Sequence, residues 1–431
     1  MKAKLLNFFQ DANVKYLFSK GIISLGFRVL GVGFSFVIVW IISNFFFEKV
    51  YGTFSLAQTI IQLLCMIFTL GVQNTLIIEI NKLSESKDLS TQNFLFHVVK
   101  LVFSIALIPI LLLYIFAPFI SLFVFNKPQL TLMFQTIACF LPVFLLHEIA
   151  IYYFIALKRF VTFGWFMFIV PNLVFLISIF LVKDDSVTAN QIVSYYGISF
   201  LITIVIEFII IFYKSNDIIK SKFSYRKTLK ESLPMMFSGL MGFLINWTDV
   251  IMLGALSTEE NVGIYNAAFK VGMLVLIIII SINVVSGTKI SEYYNNNDQI
   301  GLKKVIQKST QIVTLISFPI VIFIVIFSEF ILGYFGPGFL AGKMVLIIIA
   351  FSTFISALCG NVDQILNLTN SKNLLFRINV VVLVINIILN FYLIPKFGIN
   401  GAAIASLVAT IVLNFTCVYF VKKKLGFYTL I

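Results

Sequence analysis

Long apolar stretches recur along the chain, each closed by a short polar or basic segment. Runs able to cross about 30 Å of hydrocarbon, roughly 20 residues each, fall at 17–43, 53–78, 94–120, 130–157, 160–182, 190–213, 232–256, 262–288, 305–328, 339–366, 374–395 and 399–421. Backbone groups in lipid must be paired within their own segment, so such runs predict helices. The pattern therefore predicts an all-α integral membrane chain of about twelve transmembrane helices. It is also echoed within itself. KVYGTFSLA (Lys49 to Ala57) is answered by NVGIYNAAF (Asn261 to Phe269), with Gly52 matching Gly263, Phe54 matching Tyr265, Ser55 matching Asn266 and Ala57 matching Ala268. Each copy follows one apolar run and opens another, as in a chain built from two copies of one membrane unit. Internal repeats of this kind are a signature of secondary transporters.

Composition agrees with the pattern. Of 431 residues, 60% are hydrophobic and 11% charged, which no soluble core accommodates. The net charge of +13 is mostly a topology signal: roughly 24 of the 31 Lys and Arg fall in the N-terminus, the even-numbered loops and the C-terminus. Both termini are expected on the cytoplasmic side. The richest cluster, Lys214, Lys220, Lys222, Arg226, Lys227 and Lys230, marks the seam between the halves. The expected division is 1–213, a basic linker 214–231, and 232–431. Residues 1–20 are expected to hold a short helix on the inner membrane surface. Attraction to anionic lipid accounts for the basic loops, and nucleic-acid binding is not expected.

Several chemistries are missing from the sequence. It has no P-loop, no dinucleotide fingerprint and no HExxH. Two histidines leave little for general acid–base work. The cysteines, Cys65, Cys139, Cys359 and Cys417, stand singly in apolar runs without metal-ligand spacing. No cofactor and no metal are expected, and the loops are too short for a catalytic lobe. The reading is a transporter rather than an enzyme.

Three stretches carry a family likeness: RVLGVGFSFVIVW with EKVYGTFSLAQTIIQLLCMIFTLGVQNTLI, then INWTDVIMLGALSTEENVGIYNAAFKV, then NIILNFYLIPKFGINGAAIASLVAT, whose LIPxFGxxGAA pattern is the most specific. The chain resembles the bacterial polysaccharide (Wzx-type) flippases of the superfamily that includes multidrug (MATE) exporters and lipid II flippases. The resemblance implies two pseudo-symmetric six-helix bundles. It also implies flipping of undecaprenyl-diphosphate-linked oligosaccharide to the outer leaflet of the bacterial inner membrane by alternating access, for surface polysaccharide such as O-antigen. The implied partners are that glycan lipid, membrane lipid, and the polymerase and glycosyltransferases of the same assembly line, with the flippase a monomer. Two alternatives are a multidrug cation antiporter of the same superfamily and, from another class, a membrane glycan-assembly enzyme or scaffold.

Ionisable groups inside spans are the informative ones, since each costs about 2.5–3.5 kcal/mol at mid-bilayer. Arg28, roughly fifteen residues from the outer end of the first span, suits bidentate pairing with phosphate or a structural ion pair. Asp249 and Lys270 each lie roughly seven or eight residues from the turn between them. A salt bridge between them is therefore expected, either as a strut or as a switch opened by substrate phosphate or a proton. His147 and Glu148 sit mid-span, with Glu148 favoured for proton or sugar contact. Asp363, beside Asn361 and Gln364, is expected in the tenth helix with a similar role. Glu207 is expected to reach toward headgroups, and Glu79 and Arg377 to be interfacial. Among aromatics, Trp247, two positions before Asp249, is the candidate sugar platform. Pro395 is expected to end the eleventh helix, with Gly398 and Gly401 allowing a tight reversal.

Overall fold

In the computed structural model, residues 12–85, 91–181, 187–213 and 223–429 are described, without the side chains of 12–25, 84–85 and 284–285. Of the surface helix expected over 1–20, residues 1–11 lie outside them, as do the linker residues Lys214, Lys220 and Lys222, and 12–20 belong to the first long helix. The described residues are helical apart from short turns, with no strand. In chain order the α-helices are α1 (Ala12–Phe68), α2 (Val72–Glu85), α3 (Thr91–Phe119), α4 (Thr131–Ala156), α5 (Phe160–Gly164), α6 (Val170–Leu181), α7 (Ala189–Phe212), α8 (Tyr225–Leu256), α9 (Glu259–Gly272), α10 (Leu274–Asn295), α11 (Gln299–Ile326), α12 (Ser328–Gly333), α13 (Lys343–Cys359), α14 (Val362–Leu368) and α15 (Lys372–Leu425). Ten helical stretches among the described residues are long and apolar enough to cross a membrane. Two of them, α1 and α15, are bent and each carries two of the expected runs.

Local chemistry explains several helix ends. Thr188 opens α7 with a capping box, its hydroxyl accepting from the Gln191 amide while Gln191 Oε1 accepts the Thr188 amide at 2.8 Å. Thr258 caps α9 ahead of Glu259 and Glu260, whose charges suit a helix N-terminus. At the far end Gly426 takes a left-handed φ of 83° after Lys422, Lys423 and Lys424.

Several expected spans are interrupted. The 53–78 run breaks at Leu70 and Gly71, both at positive φ, so α2 starts afresh. The 262–288 run is divided at Met273. The 339–366 run ends at Gly360, whose φ of 76° stops α13. Pro395 does not end its helix, contrary to expectation. α15 passes through Pro395 and folds back at Gly398, where φ is 55° and ψ −132°. At Gly401 an added Cβ would overlap the Leu393 carbonyl. The proline loosens the ladder, and the reversal waits for the glycine that can take the angle.

The chain divides into two compact units, one of residues 1–41 and 60–239 and one of 42–59 and 240–431. Residues 42–59 thus pack with the second unit rather than with the N-terminal half, and the division falls inside α8, eight residues beyond the expected 214–231 linker. The cause is the repeat itself. A Cβ on Gly52 would overlap the Glu259 carbonyl and stand 2.9 Å from the Gly263 amide nitrogen. A Cβ on Gly263 would overlap the Glu48 carbonyl and stand 2.9 Å from the Gly52 nitrogen. Helix backbones approach this closely only through glycine.

In the first unit α4 is the central helix, with Leu141, Leu145, Ile149 and Phe154 among its buried residues. In the second unit, Ile290, Leu302, Ile306, Val362, Leu366 and Val382 form a core shared by α10, α11, α14 and α15. Lipid tails are as apolar as these side chains, so close packing rather than escape from water holds such a core.

Candidate functional site

Asp249 lies in α8 with 1% of its surface exposed. Tyr265 Oη of α9 donates to its Oδ2 at 2.8 Å. Asn390 and Asn386 Nδ2, one turn apart on the first limb of α15, donate to its Oδ1 at 2.7 and 3.2 Å. The Ser406 hydroxyl, on the second limb, donates to Oδ2. An ionised carboxylate has about four lone-pair sites, and four neutral donors fill them. Asn390 Nδ2 is shared with Asn386 Oδ1 at 3.1 Å, while Asn390 Oδ1 is buried without a partner.

The expected Asp249–Lys270 salt bridge is absent among the described residues. Tyr265 and Lys270 are five residues apart on α9, so their side chains diverge by about 140°. With Tyr265 turned onto Asp249, Lys270 faces elsewhere. Its Nζ stands 5.8 Å from the centre of the Tyr51 ring, within cation–π range. Tyr51 is fully buried, and its hydroxyl donates to Asn266 Oδ1 at 2.8 Å. Lys270 itself is half-buried, and no carboxylate lies within ion-pair distance of it among the described residues.

Trp247 is half-buried and packs on Phe243 and Phe269, with ring centres 6.2 and 5.8 Å away. It stands in this aromatic stack, while its neighbours Ile245 and Asn246 line a cavity of about 280 Å³ within the second unit. Asp363 opens into that cavity from the short helix α14 rather than from the helix before it, because the chain breaks at Gly360.

In the first unit His147 and Glu207 are 4% and 0% exposed, with Nδ1 3.0 Å from Oε1. Glu207 Oε2 has no hydrogen-bond partner. Glu207 therefore does not reach toward headgroups. α7 and α4 pack side by side, and its carboxylate faces His147. Glu148, turned about 100° from His147 on the same helix, is half-buried. Phe200 meets the His147 ring edge-on at 4.8 Å. Arg28 is exposed on α1 and has no ion pair among the described residues. Glu79 pairs at the surface with Lys82 at 2.7 Å and lies 3.9 Å from Lys227.

Sequence reasoning missed Tyr265, Asn386, Asn390 and Ser406 as partners of Asp249. Asn386 and Asn390 did carry a signal, two amides at i and i+4 within an apolar run, which places both on one helix face.

The chain has relatives and structural neighbours. The probable low-salt glycan biosynthesis flippase Agl15 of Haloferax volcanii is 30% identical over 188 residues, 43% of this chain and 39% of that protein. The capsular polysaccharide biosynthesis protein CapF of Staphylococcus aureus is 25% identical over 210 residues, 48% of this chain and 52% of that one. The chain thus spans about two-fifths to half the length of these curated relatives. The fold is similar to the lipid II flippase MurJ in its inward closed conformation, with a TM-score of 0.75 at 16% identity, covering 94% of this chain and 87% of MurJ. It is also similar to an inward-facing multidrug resistance MATE family transporter, with a TM-score of 0.69 at 14% identity, covering 93% and 94%. The MatE family matches residues 234–392. The polysaccharide biosynthesis protein family matches residues 17–286, well over half the sequence, and the chain belongs to that family.

Proposed function

We propose that this protein is a flippase for a polyprenyl-diphosphate-linked glycan. In the fuller form of the reading, undecaprenyl-linked oligosaccharide passes from the cytoplasmic to the outer leaflet of a bacterial inner membrane, by alternating access between two states that bind it differently. Lys270 carries the reading. A half-buried cation in a membrane unit, with no carboxylate beside it among the described residues, is set to receive an anion. Arg28, exposed on α1 in the first unit, is a separate candidate, whose planar fork suits a diphosphate oxygen pair. Asp249 is the proposed coupling group for a proton or small cation, which takes the place of one of its four donors, and Glu148, beside the His147–Glu207 pair, is a second. The names of Agl15 and of MurJ support transport of a lipid-linked glycan rather than its synthesis.

Glycan display and membrane abundance, measured on the same cells of the native host, test the reading. Lys270→Ala and Arg28→Ala are expected to lower surface glycan at least about tenfold with the protein still in the membrane. Arg28→Lys should restore it only in part, because the fork is lost. Full display by both alanine variants would overturn diphosphate recognition at these positions. The MatE match favours a second reading, a cation exporter. In that case deletion of the gene would raise drug sensitivity and leave the glycan intact. Orientation has its own test: a cysteine at Ser257 should react with an impermeant thiol reagent in intact cells, and cysteines placed in 214–231 should not.

A further inference from the structure

Resting on that reading, we propose that the cavity inside the second unit is a saccharide subsite, taking one neutral or amino sugar of the lipid-linked glycan and excluding its diphosphate and any acidic sugar. The cavity, of about 280 Å³, is bounded by α8, α9, α10, α13, α14 and the second limb of α15. Pockets for small ligands run to about 300–1,000 Å³, so this one sits at the small end and holds a single ring rather than a chain.

Charge decides what kind of ring. Asp363 is the one ionisable group lining the cavity among the described residues, and no Lys, Arg or His joins it. It is exposed there and makes no ion pair among the described residues. A lone carboxylate repels phosphate and uronate, whereas it accepts hydrogen bonds from sugar hydroxyls or pairs with an ammonium group. A bound metal ion is a poorer fit, since no group of three His, Cys, Asp or Glu side chains occurs among the described residues.

The remaining polar wall is built from amides and hydroxyls. Asn283 Nδ2 donates to Asn361 Oδ1 at 2.5 Å, and Asn414 Nδ2 donates to Ser356 Oγ at 3.1 Å. These pairs fix the groups in the cavity wall while leaving acceptor sites open. Phe269 and Leu276 supply an apolar wall. A pyranose presents hydroxyls around its rim and C–H groups on its face, and matches both. A polyprenyl tail would leave the amides and the carboxylate unpaired, at a cost hydrocarbon does not repay.

The test uses the purified full-length protein in lipid nanodiscs with two probes, undecaprenyl diphosphate and undecaprenyl-diphosphate-N-acetylglucosamine. The expected result is binding of the glycosylated lipid at least about tenfold tighter than the bare one, a free-energy gain of about 1.4 kcal/mol. Ser356→Phe, which fills the cavity, should erase that gain and leave bare-lipid binding unchanged, so the bare lipid reports that the variant is folded. Asp363→Asn, a milder change, should reduce the gain for a probe carrying an amino sugar and relieve the exclusion of a glucuronic acid probe. Equal affinity of the wild type for the two lipids, or variants that leave their ratio unchanged, would overturn the subsite alone. Failure of the wild type to bind either lipid would overturn the flippase reading and the subsite together.

Discussion

The two units bury their carboxylates in different ways. Asp249 in the second unit is held by four neutral donors drawn from α9 and both limbs of α15, whereas Glu207 in the first unit faces one imidazole and keeps an oxygen without a partner. In the first case every acceptor site of the carboxylate is taken, and Lys270, turned away from it on α9, adds nothing. In the second, acceptor capacity is left over. Ionic character and burial alone therefore do not say whether a carboxylate is a fixed node or an open one. The number of donors pointing at it does.

Removing the node should have the largest effect. Asp249→Ala strands three buried donors, Tyr265, Asn386 and Asn390, each costing about 1–3 kcal/mol when left unpaired, less whatever the hydroxyl and amides recover among themselves, and frees the half-buried Ser406 hydroxyl. Glu207→Ala strands one. Thermal unfolding of the purified variants in detergent should therefore show a much larger loss for Asp249→Ala. An equal loss would break the contrast between node and open site.

Pairwise coupling sharpens it. His147→Gln and Glu207→Gln together should cost less than the sum of the single changes, by about 0.5–3 kcal/mol, because either alone leaves a buried partner uncompensated. Asp249→Asn with Lys270→Met should instead be additive within about 0.5 kcal/mol. Recovery in the second double variant would restore the strut that the geometry denies.

The smallest expected effect lies under Lys270. Tyr51→Phe removes the hydroxyl that donates to Asn266 and keeps the ring. It should lower stability by about 1 kcal/mol while leaving glycan display close to wild type. Tyr51→Leu, which also removes the ring, should weaken display further if the aromatic face holds the ammonium in place.

Much of this architecture is legible in the sequence because lipid permits few alternatives: a long apolar run is a helix, and the twelve runs are where the helices are. The exceptions have local causes. Gly71, Gly360 and Gly398 each take a positive φ inside or beside an apolar run, and hydropathy does not distinguish a glycine that bends the chain from one that packs it. Depth misled the reading of Glu207, since counting from a helix end says nothing of which neighbour a side chain faces. The Asp249 node was half visible. The aspartate stood out in its apolar span, and the paired asparagines sat at helical spacing just ahead of the most specific motif, but their convergence depends on the fold of α15 at Gly398. The alternation that reveals a helix face is one-dimensional, and the site is made by three elements meeting.

The crossing of Gly52 and Gly263 has a genetic consequence. Each glycine fits because the other copy's carbonyl, from Glu48 or Glu259, passes directly beside it, so the contact is its own mirror image across the repeat. A change to either codon is read by the other copy, and neither half is free to drift alone at this point. Saturation of both positions at once should return glycine at both or nothing functional, which makes two sites that lie far apart in the gene behave under selection as one.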